Sequence, residues 1–181
     1  MKWLPFVLGG FVSLAACNRT TPPPVVGDAA ADTAEQVISK GWFFLTNSGV
    51  KRGELHADTM YVYSDQSRFL LRRINGKFNT ETGAPNGTLK GDRGTYDRRL
   101  QVLEGFGNVV VTSTDGRRLL SNHLKYEQMR NAISSDSAFT FYRGKDVQKG
   151  IGFQTDPNIT VFKCLRECRI EGDIPLGNLT P

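Results

Sequence analysis

The chain has 181 residues and a formal net charge of +5, and 39% of its residues are hydrophobic. This length fits one domain with flanking segments, and the hydrophobic content suffices for one core. The modest positive charge suits an anionic membrane surface or an anionic glycolipid. No nucleic-acid partner is expected, because the N-terminus predicts export from the compartment that holds nucleic acid.

The first 16 residues are predicted to be a lipoprotein signal peptide. A positive start at Met1–Lys2 precedes a mostly apolar stretch that ends at Ala16, too short for the roughly 18–20 residues of a membrane-spanning helix. The string Leu14–Cys17 resembles the lipobox of bacterial lipoproteins, so we expect lipidation of Cys17 and attachment to a membrane. An ordinary signal peptide that ends near a Cys and an uncleaved anchor helix are the alternatives.

The sequence after the signal peptide divides into three predicted segments. Residues 17–32, with Pro22–Pro24 in their middle, form the acylated Cys and a flexible tether. Residues 33–163 form a β-domain, which a short helix over 33–40 opens. Residues 164–181 form a C-terminal tail that contains two Cys.

An internal repeat runs through the β-domain. In each copy two residues on the inward face are separated by one outward residue. One extra residue then interrupts the alternation, and a second pair points inward again, as it would after a β-bulge. The copies are Leu55–Val62, Leu89–Tyr96 and Leu119–Tyr126.

A strand of alternating apolar and other residues follows each copy, at Ile74–Phe78, Leu103–Val111 and Ile133–Phe141. A period of two is typical of half-buried antiparallel strands, and turn residues separate the strands. A weaker fourth unit begins at Ile151 and continues to Val161. Such strand pairs must stack to cover their apolar faces, which predicts an all-β fold, an antiparallel jellyroll made from one folded-over sheet. Glycines at inward positions predict empty space and hence an apolar interior groove; they are Gly76, Gly91, Gly94, Gly105 and Gly107.

Inward apolar residues are the candidates for lipid contact. They are Ile74, Phe78, Leu103, Val109, Val111, Ile133, Phe139, Phe141 and Phe153. The alternative is that they pack only against one another. Basic residues form a second candidate set, which would meet lipid phosphates or simply cover a solvated surface; they are Lys51, Arg52, Arg72, Arg73, Arg117 and Arg118.

Cys164 and Cys168 remain after Cys17 is assigned to the anchor, and two such Cys usually pair in an oxidising compartment. On a straight strand they would lie roughly 13 Å apart, too far for a disulfide. A possible disulfide therefore requires a turn or coil at Leu165–Glu167. Free thiols and a metal site are the alternatives.

No enzyme activity, metal or cofactor is predicted. His56 and His123 are the only histidines, and neither has a nucleophile motif or paired metal-ligand motif beside it. In the repeat, His56 falls on the face opposite to the apolar set.

The order and spacing of several segments resemble the LptC family. The resemblance covers about 34–161 and is carried by Leu89–Asp97, Leu103–Val111, Leu119–Tyr126 and Gly150–Phe153. It implies a β-jellyroll whose interior receives the acyl chains of lipid A, the membrane anchor of lipopolysaccharide. The implied partners are the subunits of an inner-membrane lipopolysaccharide ABC transporter and a soluble bridge protein of the same fold.

The resemblance also implies a place on the periplasmic side of the cell envelope, and it favours the inner membrane over the outer. Members of the family generally carry an uncleaved N-terminal helix, whereas this chain has a lipobox. Two alternatives remain open: a membrane-anchored β-scaffold that binds a protein partner, and a general lipid carrier.

Overall fold

The computed structural model describes residues 34–47, 49–63, 67–80 and 82–172. The predicted signal peptide, Cys17 and the tether lie outside these residues. The described residues form one unclosed sheet in which nine antiparallel strands follow in chain order. The strands are β1 (Gln36–Asn47), β2 (Val50–Val62), β3 (Arg68–Asn79), β4 (Pro85–Asp97), β5 (Val102–Ser113), β6 (Arg118–Glu127), β7 (Ala132–Arg143), β8 (Asp146–Thr155) and β9 (Phe162–Glu171).

The sheet folds over along a line of bulges near the middle of the strands. The strand register shifts between Lys90 and Arg93, between Phe106 and Val109, and in the same central part of the later strand pairs. A bulge bends its strand and increases the local twist. The strands are divided into two halves that lie in facing layers, and side-chain hydrogen bonds join these layers. The first layer contains the β1–β2, β3–β4, β5–β6 and β7–β8 turns, and the second layer contains the other four.

The repeat read from the sequence has the predicted orientation. In β2, Leu55 and Ala57 are buried, two positions are skipped, and Met60 and Val62 are buried again. The same change of phase occurs in β6 between Ser121 and Leu124. The prediction of an all-β antiparallel jellyroll is therefore confirmed.

Two predicted boundaries differ from the structure at the ends of the sheet. The predicted helix over 33–40 is wrong for its described part, because β1 begins at Gln36 and pairs with β2 from Val62 onward. Apolar residues such as Val37 and Ile38 suit either element in so short a segment. At the other end, β9 continues to Glu171, so the boundary between 163 and 164 falls inside a strand.

The fourth repeat unit is only partly a strand. Ile151–Phe153 lies in β8 as expected, but residues 156–161 form a loop. Asp156 organises this loop by accepting hydrogen bonds from the backbone N–H groups of Thr160 and Val161 at 2.7 and 2.8 Å.

Cys164 and Cys168 form a disulfide in the structure. A bulge in β9 brings their Cα atoms to 6.0 Å. Glu167 supplies the bend, because its backbone is left-handed with φ 51°. The pairing thus uses a bulge within a strand rather than a turn between elements.

Among the residues that the structure describes, no helix is long and apolar enough to cross a membrane.

Candidate lipid-binding interior

All nine predicted lipid-contact residues point into the space between the two layers. They belong to one continuous core, and none is more than 4% exposed. Strands β3, β5, β7 and β8 supply them, while β2, β4 and β6 complete the core with their own inward residues. The interior is therefore mainly apolar along the sheet, as acyl-chain binding would require.

An aromatic cluster closes the C-terminal end of this interior. The rings of Phe139, Phe141, Phe153 and Phe162 lie with their centroids 4.4 to 5.5 Å apart. Phe141 and Phe162 come from opposite layers and stack at 4.4 Å. Phe162 is absent from the predicted set although it lies within the predicted domain over 33–163, because the sequence predicted no strand that begins there. The sequence signal for this inward position is the spacing of two residues between Phe162 and Cys164, which is typical of one face of a strand.

A second aromatic cluster lies at the N-terminal end. Phe43 stacks on Tyr96 at 5.0 Å and on Phe69 at 5.7 Å. Burial raises the pKa of the Tyr96 hydroxyl above its ordinary value, although nearby Arg98 partly opposes this shift. Phe43 and Phe69 are half-buried and were also missed by the sequence, since Phe43 lies in an apolar run with no clear alternation.

The inward glycines do not leave empty space, which corrects the argument that predicted a groove from them. A Cβ at Gly76 would lie 3.0 Å from the side chain of Leu55, and one at Gly91 would lie 3.3 Å from Ile74. Larger neighbours therefore fill the positions that the glycines vacate. Gly107 is not an inward position, because its Cβ would meet the side chain of Asp92.

Hydrogen bonds join the two layers at the rim, the side of the folded sheet opposite to the bulges. Arg52 donates to Asn131 Oδ1 at 3.0 Å, and Arg117 donates to the Ile159 carbonyl at 2.6 Å. Two further bonds across the rim run from Asn86 to Asn158 and from Gln128 to the Thr46 carbonyl, both at 2.5 Å. These four bonds are called the rim contacts below. Two members of the predicted basic set, Arg52 and Arg117, thus bridge the layers.

Ile159 covers the interior from the rim. Its side chain is 1% exposed although it lies in a loop. Its φ of 54° is left-handed, a conformation that is strained for a β-branched residue. Burial raises the pKa of the Asp156 carboxyl in the same loop, but hydrogen bonds from Thr160 and Val161 outweigh burial and hold that pKa below its ordinary value. The loop is therefore held in place from inside and from across the rim.

The histidines lie on the outer faces of the sheet. His56 is bonded to Glu54 at 2.6 Å, and His123 stacks on Phe106 at 5.0 Å between Glu104 and Asp136. No group of three potential metal ligands occurs in the described part of the chain.

Comparison with known proteins places this geometry in a family. No curated protein matches the sequence. The solved structure of LptH, described as the LptA homologous periplasmic component of the conserved lipopolysaccharide transport device of Pseudomonas aeruginosa, is similar in fold. The TM-score is 0.54 at 13% identity, over 67% of this chain and 94% of LptH. A family model for lipopolysaccharide-assembly, LptC-related proteins matches residues 44–165, which agrees with the resemblance found in the sequence. The chain belongs to the LptC-related family of lipopolysaccharide-assembly proteins.

Proposed function

We propose that this chain is a lipopolysaccharide-binding component of the export machinery on the periplasmic side of the envelope. Acyl chains of lipid A would enter the interior between the layers. The observation that carries the proposal is the continuous apolar interior, with an aromatic cluster at each end and no buried charge among its core residues. Membership of the LptC-related family supports the choice of ligand.

The family resemblance supports a direction of transfer, and the topology supports a way of pairing with a partner. The chain would receive lipid from the subunits of an inner-membrane ABC transporter and pass it to a soluble bridge protein of the same fold. Both β1 and β9 are edge strands with one neighbour each. An edge strand can pair with a strand of a partner, and this pairing would align the interiors of the two proteins. The transporter would supply the energy, and this chain would have no catalytic role.

Lipid entry requires the layers to part, because the interior is filled in the structure. Parting would break the four rim contacts, and each hydrogen bond contributes about 0.5–1.5 kcal/mol, or more where a charged group donates. Parting would also expose apolar side chains, but an entering acyl chain would cover them. Its own burial would contribute about 0.8 kcal/mol of favourable free energy per CH₂. The rim contacts are thus weak enough for bound lipid to replace.

Cys17 would hold the chain at a membrane through its acyl groups, and we place that membrane as the inner one. Residues 18–32 would then separate the β-domain from the lipid surface. The anchor rests on the lipobox resemblance, and the choice of the inner membrane rests on the resemblance to the LptC family.

A filled interior also favours a second candidate, a membrane-anchored β-scaffold that binds a protein partner. Phe153, for example, is 0% exposed and packs between Phe139 and Phe162. Such packing stabilises a scaffold without any ligand.

Photocrosslinking in living cells distinguishes the two candidates. A photoreactive residue at Phe139 faces the interior, while its neighbour Thr140 faces outward and is the matched control. A lipopolysaccharide adduct at 139 but not at 140 is expected. If the folded, membrane-attached protein gives no adduct at 139, the proposal fails and the scaffold candidate stands.

A further inference from the structure

An exposed aromatic pair marks the outer face of β1. Trp42 is 57% exposed and Phe44 is 46% exposed, and their rings meet edge to face at 5.1 Å. Both side chains point away from the interior, because Gly41 and Leu45 are the buried residues of this part of the strand. The pair therefore takes no part in the core or in the proposed lipid-binding interior.

Cationic side chains share the outer face with this pair. The Lys51 ammonium lies 3.9 Å from the centre of the Phe44 ring. The same outer face carries four further exposed cations on β1, β3 and β4: Lys40, Arg73, Lys77 and Lys90.

The carboxylates of this face are already paired. Glu54 accepts hydrogen bonds from Lys51 at 2.8 Å and meets His56 at 2.6 Å, and Asp58 lies 3.1 Å from Arg73. Cations exceed carboxylates on this part of the face, so its local charge has the same sign as the net charge of +5.

We infer that this face docks onto an anionic lipid bilayer surface. Exposed Trp and Phe rings with Lys beside them are the composition that proteins place at the boundary between head groups and acyl chains. Excess positive charge is attracted to anionic head groups, and its complementarity to them is what selects a bilayer as the occupant. β1 is also the first strand after the predicted lipid anchor, so the face that bears Trp42 is next to the membrane along the chain. This docking is independent of lipid entry into the interior.

Trp42 reports on the docking directly. The chain contains only two Trp, so the full chain with Trp3→Phe and Cys17→Ser carries Trp42 as its single indole and no acyl group. The protein is mixed with vesicles of phosphatidylglycerol or of phosphatidylcholine whose acyl chains are brominated, because bromine quenches an indole that enters the bilayer. A blue shift and a loss of Trp42 emission are expected on phosphatidylglycerol, and less of both on phosphatidylcholine.

A second reporter separates docking from simple tethering by the N-terminal segment. Tyr142 is 38% exposed on β7, six strands from β1 and hence about 29 Å from it along the sheet at 4.8 Å per strand. In the variant Trp3→Phe, Cys17→Ser, Trp42→Phe, Tyr142→Trp, the emission of the indole at 142 should be quenched less than that of Trp42. The variant Lys77→Gln should shift the docking equilibrium of Trp42 about fivefold toward the free form, equivalent to about 1 kcal/mol for one cation.

Two results would overturn the inference. One is equal quenching of the indole at positions 42 and 142, or quenching of neither, on anionic vesicles. The other is self-association of the chain without lipid, measured by analytical ultracentrifugation and abolished by Phe44→Ser, which would assign the face to a second copy of the chain.

Discussion

Replacing Phe153 by Ala tests whether the interior is packed as the structure shows it. Phe153 is 0% exposed and its ring lies 5.5 Å from the rings of both Phe139 and Phe162. Truncation of a fully buried Phe removes its transfer free energy and leaves a cavity, which together lower the free energy of unfolding by about 3–5 kcal/mol. Since whole domains are stabilised by only about 5–15 kcal/mol, this loss is a large fraction of the total.

Urea unfolding followed by circular dichroism measures this loss in lipid-free protein. Gln154→Ala is the matched control, because Gln154 is the exposed outward neighbour in the same strand; a change within about 0.5 kcal/mol is expected for it. A loss below about 1 kcal/mol for Phe153→Ala would refute the reasoning. It would mean that the ring lines an open groove in solution and that the layers do not close on one another without lipid.

Two further predictions concern pH and redox state. Hydrogen bonds from Lys51 and then from His56 lower the pKa of Glu54 from 4.5 to about 2, and the pKa of Asp156 is also lowered. A carboxyl whose pKa is lower in the folded than in the unfolded protein stabilises the fold above its unfolded pKa, and this stabilisation is lost as the pH falls. The urea midpoint should therefore fall between about pH 4.5 and 2, and it should fall less in Glu54→Gln. The disulfide between Cys164 and Cys168 closes a loop of five residues, which contributes about 2 kcal/mol in the chain-entropy model. Reduction by dithiothreitol should therefore lower the free energy of unfolding by up to that amount. A Cys164→Ser, Cys168→Ser double variant should not respond to the reductant.

The sequence predicted the sheet well where the alternation was long and interrupted at fixed positions. The skipped residues between Ala57 and Met60, and between Ser121 and Leu124, mark where the inward face changes phase, and in β6 this change coincides with a shift of register against β7. A change of phase in a period-two pattern indicates such a position directly, because a shift of one residue moves each side chain to the other face of the sheet.

The ends of the sheet were harder to predict. Residues 36–40 carry too few apolar positions to separate a strand from a helix, and tertiary pairing with β2 decides the outcome. In β9, the burial pattern is mostly exposed because an edge strand has a neighbour on one side only. Charged residues such as Arg166 and Arg169 therefore interrupt the alternation of apolar and polar residues by which inner strands are recognised.

The state of the interior lay beyond the sequence for a different reason. An inward glycine shows that no side chain grows from that backbone position, but it does not show which neighbour leans into the space. Ile74 fills the positions beside both Gly91 and Gly94, where a Cβ would lie 3.1 to 3.3 Å from its side chain. The contacts of Arg117 and Ile159 across the rim also join residues 42 positions apart, which no local pattern reveals.

The chain order of the strands has a consequence for how the molecule is made. Every strand pairs only with the strand before it and the strand after it. Contacts of this kind are local in sequence, so pairing can begin at β1 and proceed hairpin by hairpin while the rest of the chain is still unpaired. The last addition is β9, which brings Phe162 onto Phe141 and completes the C-terminal cluster. A chain that stopped after β8 would have the sheet but not this aromatic cover, and its newly exposed edge would be the surface most open to aggregation.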